Sequence, residues 1–362
     1  MTMRVARSLA GADLLREEIT GWLTARRCDA RFTRFGHHFV VLEQLLYGTL
    51  AALRADIVAA GELRPSELAY ARCAHLDDGV RVVRRVFDWY APRYDQRLDQ
   101  RYGPALAAAD EVVRACWWQP FEVLGRTPPT GPLPYLDPFF DAYATPRSAV
   151  PRDLLPLLDE LPIPLIALPG WAASEAWWLV VAAHETGHVV LHDLGLTSAV
   201  RLALGERSAW AEEVFADVYS VLMVGTAARW LVDELEHGRT RPSDYYPPPD
   251  LRLALMVAGD LLALEVDGVP LRELGPGFDP ALAGVWTERL TDPHPVITKV
   301  TGRASARTMI AAGVQAHAAA PAVVHANLLA HLPRCGPEGT LGSPPPAPDV
   351  RAVTDRLIRR LL

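Results

Sequence analysis

A mainly α-helical protein with little β structure is what this sequence predicts, and three observations carry the prediction. Apolar residues recur every three or four positions over long stretches at both ends of the chain. Prolines concentrate instead between residues 119 and 170 and again at 343–348, where they break any long helix. Half of the 362 residues are apolar, enough for two cores or for one core with additions.

Taken in order, residues 12–27 place Leu14, Leu15, Ile19, Trp22 and Leu23 on one side of an amphipathic helix. A longer helix follows over 34–60 and stops at Gly61. Ser66 starts a third, whose spacing continues through Val80–Trp89, and a fourth spans about 104–118. Within the proline-rich connector, residues 163–168 read as one short strand, which Pro164 confines to an edge or to a strand start. Helices are then predicted from Ser174 to Leu191 and from Ser208 to His237, with Gly238 as the stop of the second. Further helices cover 251–266, 281–290, 295–319 and 321–332. The resulting division is a helical N-terminal region over 1–118, a connector with the edge strand over 119–170, and a core over 171–333. A proline-rich linker over 334–348 and an amphipathic helix over 349–362 complete it. That last helix carries Val350, Val353, Leu357 and Leu361 on one stripe, and docking on its own domain is the simplest use of it.

Chemistry concentrates in residues 181–217. His184-Glu185-Thr186-Gly187-His188 sets two histidines four residues apart, so on a helix both imidazoles leave one face and can close on a single ion. Zinc suits two neutral imidazoles and a carboxylate, with the fourth position kept for water. Glu185 projects beside the histidines, where it can take a proton from that water. The third ligand is expected from the following helix, and Glu213 is preferred. Its neighbour Glu212, about 100° round the helix, is the alternative. Asp217 favours Glu213, because it lies one turn further on the same face and can accept the second N–H of a ligand histidine.

HETGH followed by Glu213-x-x-x-Asp217 resembles the gluzincin clan of zinc peptidases, the thermolysin-like and neprilysin-like enzymes and their compact bacterial relatives. The resemblance covers some forty residues and includes the flanking Val181 and Val190. It implies a zincin-like helical metal-binding core, zinc held by His184, His188 and Glu213, Glu185 as general base, and Asp217 orienting a histidine. It also implies a protein or peptide substrate, whose backbone lies along a strand edge such as that at 163–168. For the oxyanion, Tyr245, Tyr246, His237, Arg252 and His294 stand as unranked donors.

Other readings are narrower. A formal charge of −7 argues against a nucleic-acid partner. Four scattered cysteines without a CxxC pair fit reduced thiols in cytoplasm, and charged residues from Asp13 to Glu18 exclude a signal peptide. No apolar run reaches the length of a membrane span. The oligomeric state is not legible. Two ExxH motifs, Glu185-x-x-His188 and Glu234-x-x-His237, raise a ferritin-like di-iron oxidase as a rival. If Glu213 and His237 share one helix, roughly 35 Å separates them, which excludes a common cluster. A non-catalytic module pinned by zinc is the third reading, and it leaves Glu185 unexplained.

Overall fold

The structure, a computed structural model, describes residues 3–139, 142–151, 157–237, 246–257, 261–275, 278–297, 302–336 and 347–362. Tyr245, Gly238 and most of the expected linker over 334–348 lie outside these residues. The helices are α1 (Met3–Arg27), α2 (Gly36–Ala60), α3 (Ser66–Asp95), α4 (Gly103–Val123), α5 (Val181–Asp193), α6 (Thr197–Leu204) and α7 (Ala211–Val224). They continue with α8 (Thr226–Glu236), α9 (Pro249–Leu255), α10 (Pro280–Thr291), α11 (Arg303–Ala316), α12 (Pro321–His331) and α13 (Ala347–Leu361). Among the described residues five short strands complete the fold: β1 (Leu133–Asp137), β2 (Tyr143–Thr145), β3 (Leu165–Pro169), β4 (Glu265–Val266) and β5 (Val269–Pro270). The mainly α class is therefore observed. Among the described residues no helix is long and apolar enough to cross a membrane.

The chain divides into two units. The first gathers Met1–Asp95, Arg147–Ile163 and Gly339–Leu362. In it α1, α2 and α3 pack on one another, and α13 lies against α2. The apolar stripe of α2, from Phe39 through Leu42, Leu46 and Leu53 to Ile57, is almost wholly removed from water. Val350, Val353, Leu357 and Leu361 of α13 are buried too, while Arg356 and Arg360 pair with Asp159. The last helix thus docks on its own unit.

The second unit spans Gln96–Pro146 and Pro164–Glu338. Its centre is α4, which is apolar nearly all round and buried along most of its length, as a helix enclosed by others must be. Its buried charges are matched, Asp110 by Arg97 and Glu111 by Arg114. Expected as the last helix of an N-terminal region ending at 118, α4 belongs instead to this second unit. The proline-rich connector contributes more than one strand. Its three strands form a sheet in the order β1-β3-β2, with β1 parallel and β2 antiparallel to β3. The strand foreseen as an edge is therefore the middle one, and Pro164 sits just before its first residue, where no ladder bond is lost.

Two expected helices are shorter than foreseen: the one over 251–266 ends at Leu255, with 265–266 in β4, and a second is interrupted. The helix foreseen from Ser208 to His237 is broken at Gly225, where φ is +61° and a Cβ would lie 2.4 Å from the ring of Phe278. Only glycine tolerates that backbone and that contact. Ser208 lies in a 3₁₀ turn (Gly205–Trp210) and does not cap α7.

Candidate metal centre

α5 is held among α4, α7 and the sheet by Val181, Ala182, Ala183, Val189, Val190 and Leu191, all buried. The crossing with α7 is very close. A Cβ on Gly187 would stand 2.8 Å from the Cα of Ala216, so glycine at this point lets the two backbones meet. That approach sets the histidines of α5 against the acids of α7.

His184 Nε2 and His188 Nε2 are 3.3 Å apart. Glu213 Oε2 lies 3.5 Å from the first, and Glu213 Oε1 lies 3.5 Å from the second. Donor atoms about 2.0–2.1 Å from a tetrahedral zinc ion stand about 3.3 Å from one another, so these three groups have the spacing of zinc ligands. Glu213 Oε2 is also buried without a hydrogen bond, and Arg252 Nη2 stands 3.6 Å from it, so positive charge already faces this carboxylate. Among the described residues, His184, His188 and Glu213 are the group of side chains that could hold a metal. Glu212, the alternative ligand, turns elsewhere, with Oε2 3.7 Å from His192 and Oε1 3.7 Å from Arg201.

Around this group lies a chain of buried charge. His184 Nδ1 is 2.9 Å from Asp217 Oδ1. Arg252 then grips Asp217 with two bonds, Nε to Oδ2 at 2.6 Å and Nη2 to Oδ1 at 2.9 Å, and gives Nη1 to Glu236 Oε1 at 3.0 Å. Burial works against a charged His184, yet Asp217 and Glu213 outweigh it and push the imidazole up to about 10. Burial likewise opposes ionisation of Glu213 and Asp217, and His184 and Arg252 bring both below the ordinary carboxylate range. His188 moves the other way, down to about 4, through burial and the charge on His184. These directions belong to the metal-free chain; a cation between the imidazoles would displace the proton on His184.

Glu185 is 5% exposed and does not belong to the ligand group. Burial pushes its carboxyl up to about 7, and the backbone N–H of Ala144 on β2 donates to it. A carboxyl poised there can accept and return a proton near neutral pH. Glu185 and His184 face a cleft that also reaches Tyr246, Arg252 and Glu236.

Of the oxyanion donors left unranked, Arg252 is committed to its carboxylates and Tyr246 lies under its guanidinium, 5.5 Å from the ring centre. His237 and His294 are exposed and absent from the cleft lining. Glu234 and His237, the second ExxH pair, are exposed as well, so the di-iron rival now fails on their placement. The single-helix argument against it does not survive the break at Gly225. Sequence reasoning did not find Glu236 or the role of Arg252, because nothing in their spacing ties them to α7.

Replacing Asp217 by Ala should weaken zinc affinity about 10- to 100-fold, measured by competition with a chromophoric chelator. An unchanged affinity would detach Asp217 from the site. Comparison with protein-family models, with curated proteins and with solved structures finds no match to this chain.

Proposed function

We propose that this chain is a zinc metallopeptidase that hydrolyses a peptide bond in a protein or peptide substrate. The reading is carried by the mutual spacing of 3.3 to 3.5 Å among His184 Nε2, His188 Nε2 and the Glu213 carboxylate. His184, His188 and Glu213 would hold the ion, and Asp217, fixed by Arg252, would orient His184. Zinc bound there supplies a Lewis acid that polarises the substrate carbonyl and lowers the pKa of a water. Glu185 would take a proton from the attacking water as its oxygen bonds the substrate carbonyl carbon, and would pass it to the amine nitrogen as the C–N bond breaks; its near-neutral carboxyl suits both directions of transfer. β3 has partners on both edges, so the free edges of the sheet are those of β1 and β2, and β2, whose Ala144 contacts Glu185, is the edge beside the candidate base for an extended substrate backbone.

The resemblance of HETGH and Glu213-x-x-x-Asp217 to gluzincins points to the same reaction. The test is a metal cycle on the full chain. It should purify with about one zinc per chain, cleave a mixed peptide library, stop cleaving when stripped with a chelator, and resume on adding zinc. Cleavage that persists after complete removal of metal would overturn the proposal.

A further inference from the structure

A straight helix would carry Glu236 away from the metal group, since it follows Glu213 by 23 residues, about 35 Å at 1.5 Å per residue. The break at Gly225 sends α8 in a new direction, and its last residue, Glu236, comes back to the site 8% exposed. There it meets Arg252 of α9, whose Nη1 donates to Glu236 Oε1 at 3.0 Å. The other two nitrogens of that guanidinium, Nε and Nη2, are spent on Asp217, and Nη2 also stands 3.6 Å from Glu213 Oε2. Three helices, α7, α8 and α9, are thus tied at one cation beside the candidate ligands.

Charge gives one reason for an acid at this place. Zinc takes its histidines neutral, so the ion and Arg252 together bring three positive charges into a region largely shielded from water. Leaving aside the proton carrier Glu185, Glu213 and Asp217 offset two of them and Glu236 offsets the third. A buried charge left unmatched is costly. Geometry gives a second reason. Arg252 Nη2 faces the same Glu213 oxygen that lies toward His184, so a guanidinium released by Glu236 is free to close on Glu213 and compete with the ion for it.

We infer that Glu236 is a positioning residue of the metal centre, which holds Arg252 back from Glu213 and supplies the negative charge that completes the balance around bound zinc. The inference rests on reading His184, His188 and Glu213 as a zinc site and is independent of what the protein cleaves.

The experiment measures zinc affinity of the full chain by competition with a chromophoric chelator, for the wild type, Glu236→Gln, Glu236→Asp, and Arg252→Gln alone and combined with Glu236→Gln. Glutamine keeps the shape of Glu236 and an oxygen that accepts from Arg252, so a side chain that merely joins α8 to α9 predicts wild-type affinity for Glu236→Gln. A positioning charge predicts a loss of about three- to tenfold, less than for a direct partner of a ligand histidine. Glu236→Asp, which keeps the charge, should stay within about twofold of the wild type. With Arg252 already replaced, Glu236→Gln should move the affinity by less than about twofold, because its effect passes through the guanidinium. Unchanged affinity in Glu236→Gln, a loss in Glu236→Asp as large as in Glu236→Gln, or an undiminished effect without Arg252 would overturn the inference. The Gln and Asp variants decide it even where Arg252→Gln fails to fold. A wild type that binds no zinc removes the site and this inference with it, whereas tight binding by both the wild type and Glu236→Gln removes the inference alone.

Discussion

Glu185→Gln should keep its zinc and lose cleavage by about 10²- to 10⁴-fold, the range by which a positioned general base accelerates a reaction. The substitution keeps the shape of the side chain and an oxygen able to accept the Ala144 N–H, so the packing of a residue 5% exposed is preserved. What it removes is the capacity to take a proton. Metal content by mass spectrometry and initial rates on one peptide, measured on the same preparations, separate the two properties. Full metal with undiminished cleavage would take the base away from Glu185.

His184→Ala should act on the ion itself. His184 is one of the three proposed protein ligands, and it is also the group that Asp217 and, through it, Arg252 hold in place. Losing one ligand of a site whose total binding free energy runs to about 10–16 kcal/mol should weaken affinity at least about 100-fold. The variant should therefore leave purification without zinc and fail to recover activity at zinc levels that restore the stripped wild type. The fold should survive, since α5 is anchored by Val181, Val189, Val190 and Leu191 and not by the imidazole. Unchanged zinc content in His184→Ala would put the ligands elsewhere.

How much of this was legible in the sequence follows the range of the interactions. The four-residue repeat of His184 and His188 and that of Glu213 and Asp217 are helical periodicities, and reading them required only that each segment be a helix. That α5 and α7 would then meet depends on Gly187, whose missing Cβ was present in the motif but whose partner, Ala216, could not be read from it. Arg252 was visible as one basic residue among many; its two bonds to Asp217 are a tertiary fact. Strands β1 and β2 escaped notice because runs of five and three residues are too short to display an alternation, and β1 contains Pro134. Gly225 was passed over because apolar periodicity continues on both sides of it. A glycine inside a helical pattern is often tolerated, and only the ring of Phe278 and the positive φ show that this one ends a helix.

The docking of α13 on α2 has a consequence for biosynthesis. A ribosome releases α1, α2 and α3 first, yet the apolar stripe of α2 receives its last cover from residues more than 280 positions later. These helices are made before the one that covers them, and through most of translation α2 presents uncovered leucine to a chaperone or to other chains. Nascent chains stalled before residue 347 should accordingly be the aggregation-prone species in expression of this protein.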